Sequence, residues 1–255
     1  MRILLTNDDG IDSEGLGALS RALAALRTSD GPAHEIIVVA PEGERSGVSH
    51  AMTLKLPTKL RKISDTWYSC SGTPVDCIIV AGLTVLKGKP DIVISGINRG
   101  PNLGTDIIYS GTCGAARQAA LSGVPAMALS CATMTPPFEY GACASFVAAN
   151  LDRLVAAWLP GTFININAPS SSEDNLKARW TVPGKNHYFD NVKCFDGADG
   201  FTYCFLTDGR HERERMDLAD HEAIADGLIS IGLVGLHPAS AHPGERNGTL
   251  FGETE

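Results

Sequence analysis

Asp8 and Asp9 stand side by side after the run Met1-Arg2-Ile3-Leu4-Leu5 and immediately before Gly10. Adjacent carboxylates repel one another, and either a hard divalent cation or screening water relieves the repulsion. A second polar stretch, residues 95–112, mixes oxygen-bearing side chains with glycines between the strand-like run Asp91-Ile92-Val93-Ile94 and a helix-like pattern from Cys113 to Ser122. Ser110-Gly111-Thr112 falls where that helix begins, and free N–H groups and the helix dipole at such a start favour a phosphate. A third stretch, Ala40 to Ser49, follows the strand-like segment Glu35 to Ala40. A bland reading stands beside each of these. Asp-Gly is a common turn pair, Ser110 and Thr112 suit helix caps, and Asn98 suits a turn with positive φ. Ser46 reads as a loop serine or as a nucleophile, and a nucleophile needs a base in reach.

Such residues are useful only if the fold brings them together. Continuous apolar runs at 2–6, 35–40, 90–95, 126–130 and 162–167 predict strands covered on both faces. Between them, 13–27 carries Leu16, Leu19, Leu23 and Leu26 on one stripe, with Asp12 or Ser13 as cap. Residues 74–87 start with Thr73 as cap and Pro74 at the first helical position. Residues 138–158 place Val147, Leu151, Leu154, Val155 and Trp158 at helical spacing. Alternating β and α units predict an α/β fold with a doubly wound, mainly parallel, Rossmann-like sheet. In such a sheet Asp8 and Asp9 lie at the carboxyl end of a strand, where ligand sites gather. The expected division is a catalytic core over 1–180 and an extension over 181–255. The extension comprises a β-hairpin excursion over 181–215, a late strand at 228–234, and a tail from 237 rich in Pro, Gly and charge.

Composition narrows the partners. The chain has 255 residues and a formal net charge of -8, with Lys and Arg scattered, which disfavours a nucleic-acid duplex. A small anionic substrate stays open, because a bound cation can outweigh an acidic surface. The seven cysteines include no Cys-x-x-Cys pair, and several sit in apolar runs, a reduced pattern that predicts a cytoplasmic protein. No run approaches membrane-spanning length, and no signal-peptide pattern precedes Arg2. Seven histidines form no His-Glu-x-x-His motif; His50, four residues after Ser46, is the one near the predicted site, and a structural role is the first reading for it. The charge cluster from Arg210 to Arg215 reads as a solvated face.

Taken in order, these segments resemble the SurE family, metal-dependent 5′-nucleotidases also described as acid phosphatases. The resemblance rests on Asn7-Asp8-Asp9-Gly10, Ala40-Pro41 with Arg45-Ser46-Gly47, and Gly72-Thr73-Pro74 with Asp76-Cys77. Ser95-Gly96-Ile97-Asn98, Gly100-Pro101-Asn102-Leu103-Gly104 and Tyr109-Ser110-Gly111-Thr112 complete it. It implies one divalent ion, Mg or Mn, on Asp8, Asp9, Ser46 and Asn98, with Asp8, Asp9 and Asn98 catalytic. It also implies a phosphate pocket of Ser46, Gly47, Asn102, Ser110, Gly111 and Thr112. The implied substrate is a nucleoside monophosphate, and the implied assembly is a homodimer or homotetramer using the hairpin. Three departures stand out: Ser13-Glu14 in place of Ala-Pro, Gln118 in place of Glu, and Ser230-Ile231-Gly232-Leu233-Val234 in place of Ser-Ile-Thr-Pro-Leu. They keep two alternatives in view: a nucleotide-binding regulatory module without turnover, and a specialised phosphatase of a biosynthetic pathway. Direct attack by water is the expected route, with an aspartyl-phosphate route through Asp8 or Asp9 as its rival.

Overall fold

The computed structural model describes residues 1–28, 31–86, 88–173 and 175–238. In chain order its strands are β1 (Arg2–Thr6), β2 (Arg27–Thr28), β3 (Gly31–Pro32), β4 (Glu35–Pro41), β5 (Leu60–Lys62) and β6 (Trp67–Cys70). They continue as β7 (Ile92–Arg99), β8 (Ala126–Cys131), β9 (Thr162–Ala168), β10 (Ala178–Thr181), β11 (Asn186–Asp196), β12 (Thr202–Arg213) and β13 (Ile229–Gly235). The helices are α1 (Glu14–Ala24), α2 (Pro74–Val80), α3 (Gly111–Leu121), α4 (Gly141–Ala157) and α5 (Asp220–Ala225). Nine strands form one sheet in the order β10-β13-β9-β8-β7-β1-β4-β6-β5. The six strands from β9 to β6 in that order run parallel. β13 and β10 run antiparallel to them on one side, and β5 does so on the other.

Side-chain alternation along β1 explains the layers. Ile3 and Leu5 face one side and join Leu16, Leu19 and Leu23 of α1 with Val147, Leu151 and Leu154 of α4. Leu4 faces the other and joins Cys77 and Ile78 of α2 with Ala115, Ala116, Ala119 and Ala120 of α3. On another side of α3, Gly114 lets the loop after β4 pack against the helix; a Cβ at Gly114 would lie 2.4 Å from the Ser49 carbonyl oxygen.

All five strands predicted from apolar runs are present, and β7 runs on to Arg99. α1 stops at Ala24 rather than 27, because Arg27 and Thr28 pair with Gly31 and Pro32 in a small ribbon. α4 runs from Gly141 to Ala157, three residues later in its start than the predicted 138. Thr73 caps α2 as expected: its hydroxyl accepts from the Asp76 N–H at 3.2 Å while Asp76 Oδ2 accepts from the Thr73 N–H at 2.9 Å. The helix then widens into a π turn over 81–85. The late strand predicted at 228–234 is β13, and it enters the main sheet between β9 and β10, so the described part of the extension returns to the core. β11 and β12 form a separate antiparallel ribbon. Of the tail from 237, all but the first two residues lie outside the described residues.

Candidate active site

β1 sits where the winding of the sheet reverses. The chain leaves it through α1 to β4 on one side and later places β7 on the other. The crevice beyond the carboxyl ends of β1 and β7 is therefore the switch point, the general ligand position of open α/β sheets. Thr6 pairs with Ser95 at that edge, so Asp8 and Asp9 leave β1 alongside the Ser95–Arg99 end of β7. The β7–β8 register slips between Ser95 and Asn98, which carries Asn98 to the rim.

Asp8 is 4 % exposed. Its Oδ2 accepts from the Thr112 backbone N–H at 3.1 Å, and its Oδ1 accepts from the Thr112 hydroxyl. The N-terminal turn of α3 thus holds the carboxylate directly, and Gly111 allows the approach: a Cβ there would lie 2.9 Å from Asp8 Oδ2. Burial nevertheless pushes Asp8 up to about 6; the Thr112 hydroxyl bond lowers it, and the neighbouring Asp9 raises it. Asp9 accepts from the Arg99 N–H at 3.0 Å and is also raised, first by burial, with the Arg99 bond and charge opposing and Glu44 adding. Asn7, fully buried, ties the turn together: its Nδ2 donates to the Gly10 carbonyl at 2.9 Å and to Ser13 Oγ at 2.6 Å.

The remaining predicted residues fall into two groups. Asn98 is half-buried and donates from Nδ2 to the Gly100 carbonyl at 2.9 Å, which leaves its oxygen for a ligand. Ser46 and Gly47 are exposed, and the Ser46 hydroxyl donates to Glu44 at 2.9 Å. Their loop is nonetheless fixed against the pair, because the Arg45 N–H donates to the Asp8 carbonyl at 2.7 Å. Ser110 caps α3 by accepting from the Cys113 N–H at 3.0 Å. Asn102 is 5 % exposed and donates from Nδ2 to Ser130 Oγ at 2.8 Å. Its backbone is gripped by Asn165 and Asn167: Asn167 Oδ1 accepts from the Asn102 N–H at 2.8 Å, and both amides donate to the Asn102 carbonyl. Sequence reasoning missed Ser130, Asn165 and Asn167. The signal was present in β9, where two asparagines alternate within an apolar strand, and buried amides need partners. His50 contacts Gln118 across 3.0 Å.

The donor chemistry fits a hard cation. Two neighbouring carboxylates, both raised toward neutrality, are the arrangement that a divalent ion relieves. Two buried oxygens at the same end of the sheet, Asn7 Oδ1 and Ser95 Oγ, lack hydrogen-bond partners among the described residues. Among those residues no three His, Cys, Asp or Glu side chains cluster as ligands, so a cation here would draw on neutral oxygens as well. The Thr112 hydroxyl serves Asp8, so Thr112→Val is expected to weaken Mn²⁺ binding roughly 10- to 100-fold, as loss of an outer partner does. Thr112→Ser keeps the hydroxyl and should stay near wild type. Titration calorimetry on both variants checks this; equal affinities would remove the hydroxyl from the site.

The family pattern for survival protein SurE matches residues 3–190. The 5′-nucleotidase SurE of Thermosipho melanesiensis is 39% identical over 237 residues, covering 91% of this chain and 90% of that protein. The 5′-nucleotidase SurE of Geotalea uraniireducens is 39% identical over 233 residues, covering 91% of each. The crystal structure of the SurE protein from Aquifex aeolicus superposes with a TM-score of 0.79 at 31% identity, over 94% of this chain and 95% of that one.

Proposed function

The chain belongs to the SurE family, and from that premise we propose that it is a divalent-metal-dependent phosphomonoesterase that hydrolyses nucleoside 5′-monophosphates. One observation carries the reading: an adjacent pair of carboxylates at the switch point, Asp8 buried and held by the first turn of a helix, and Asp9 half-buried beside it. Asp8, Asp9, Asn98 and Ser46 would hold the ion, Mg²⁺ or Mn²⁺. For Ser46 this requires its hydroxyl to turn away from Glu44.

When bound, the ion supplies positive charge to the phosphoryl oxygens and to the water that attacks. The chain's own residues do the rest. Asp8 is immobilised through both of its oxygens by Thr112, which suits a ligand better than a nucleophile and favours direct attack by water. Asn102, locked by Ser130, Asn165 and Asn167, presents a rigid edge. Ser110 and Gly111 open α3, whose dipole favours an anion, while Thr112 gives its N–H and hydroxyl to Asp8 and so supports the phosphate end of the site through that carboxylate. With the substrate dianion facing Asp8, Asp9 and Glu44, the cation decides whether it is attracted or repelled.

Exposed Tyr188, Phe189, Val192, Phe195, Phe201, Tyr203, Phe205 and Leu206 on the β11–β12 ribbon support a homodimer or homotetramer. A cytoplasmic setting fits the seven cysteines, all present as free thiols. No helix among the described residues is long and apolar enough to cross a membrane.

A phosphate-release screen over nucleoside monophosphates and other phosphomonoesters tests the activity. Release is expected with Mg²⁺ or Mn²⁺ and should stop with EDTA. Nucleotide binding without release under every metal would instead identify a regulatory module.

A further inference from the structure

Five of the seven cysteines are buried and serve as small core side chains, but Cys194 and Cys204 are exposed. They occupy directly opposed positions on β11 and β12. Their sulfurs face each other across 2.7 Å. The ribbon that carries them is ordered on both sides of the pair. Toward the tip, the Thr202 hydroxyl donates to Asp196 at 2.8 Å, and the Gly197 N–H donates to the Phe201 carbonyl at 2.7 Å. On the opposite face Phe195 and Phe205 meet edge to face at 6.1 Å between centroids. Toward the base, Asn186 and Tyr188 anchor β11 on the loop before α3, through Thr105 Oγ1 and Asp106. Opposed residues on antiparallel strands have Cα atoms about 4.5–5.5 Å apart, within the span a disulfide bridges. A two-stranded ribbon outside the main sheet is also the element that gains most from a cross-link, since hairpins alone are marginal.

We propose that Cys194 and Cys204 are a modification site: they form an intramolecular cross-strand disulfide by exchange with a small-molecule disulfide of the glutathione type. The thiolate of one cysteine attacks the small disulfide, forming a mixed disulfide and releasing one small thiol. The second cysteine, as its thiolate, attacks the protein sulfur of that mixed disulfide and releases the second small thiol. The protein pair loses two electrons and two protons, and the small disulfide gains them. Strand pairing holds the second sulfur beside the first, so ring closure outcompetes further exchange.

The test uses the full-length chain equilibrated over a series of oxidised-to-reduced glutathione ratios, with free thiols then alkylated. Trypsin leaves both cysteines on one peptide, Cys194 to Arg210. The expected product is that peptide unalkylated and lighter by two hydrogens. Cleavage before Asp196 and Asp199 should leave its two ends joined until reduction. A synthetic peptide of the same residues lacks the strand pairing. The folded protein should therefore reach half-oxidation at a ratio at least about tenfold more reducing than the peptide does. Cys204→Ser should instead leave Cys194 carrying a mixed disulfide. The proposal is overturned if both cysteines remain alkylated, if the bond joins two chains, or if protein and peptide oxidise at the same ratio.

Discussion

Asp8→Asn is expected to lower kcat/KM for nucleoside monophosphates by roughly three orders of magnitude while the protein stays folded. The substitution keeps the volume and one oxygen for Thr112 but removes the charge that a cation needs. Its effect on stability has a definite sign. In metal-free protein burial raises Asp8 from 3.8 to about 6. Between those values the native state holds a proton that the unfolded state has released. Stability from this group is therefore present below the lower value, falls as pH rises through the upper one, and stays lost above it. The shift is worth on the order of 3 kcal/mol. Melts of EDTA-treated protein at about pH 4.5 and about pH 7.5 should show about 2 kcal/mol of this loss in the wild type and much less of it in Asp8→Asn. Added Mn²⁺ should restore wild-type stability at the higher pH, because a cation favours the charged form. Near-normal turnover by Asp8→Asn at saturating Mg²⁺ would remove Asp8 from the metal site.

The second large effect is expected at Gly96, two residues before Asn98. Its φ is +133°, a region that side chains rarely adopt, and a Cβ there would lie 2.4 Å from the Leu129 carbonyl oxygen. That oxygen belongs to the backbone of β8, in the centre of the sheet, and cannot move aside cheaply. Gly96→Ala should destabilise the protein by about 3 kcal/mol or more, combining an unfavourable φ with overpacking. Urea unfolding checks this; a midpoint close to wild type would show that the β7–β8 junction can relax. Because the same junction delivers Asn98 to the rim, the folded fraction should also lose activity.

What could be read from the chain follows the reach of each interaction. β1, β4, β7, β8 and β9 announce themselves as apolar runs because both of their faces are covered. β5 and β6 do not, since Leu60-Arg61-Lys62 and Trp67-Tyr68-Ser69-Cys70 lie at a half-exposed edge and read as loop. The switch-point position of Asp8 and Asp9 follows from the alternation of strands and helices. What Thr112 does with its donors does not, because its partner is 104 residues away, and a helix cap or a phosphate ligand would use the same residue type. Ser110 illustrates the difference: its capping bond is local and was legible as such. The opposition of Cys194 and Cys204 depends on a ribbon register that odd–even alternation alone cannot fix.

The central claim is that one divalent cation is held between Asp8 and Asp9 at the carboxyl end of β1 and is required for phosphate release. The most direct measurement is anomalous diffraction at the manganese edge from crystals grown with Mn²⁺, with phosphate release assayed on the same preparation. The account predicts one strong peak per subunit in contact with Asp8 and Asp9, absent together with activity in Asp8→Asn. A peak elsewhere, or an active preparation with no metal at this pair, would contradict it.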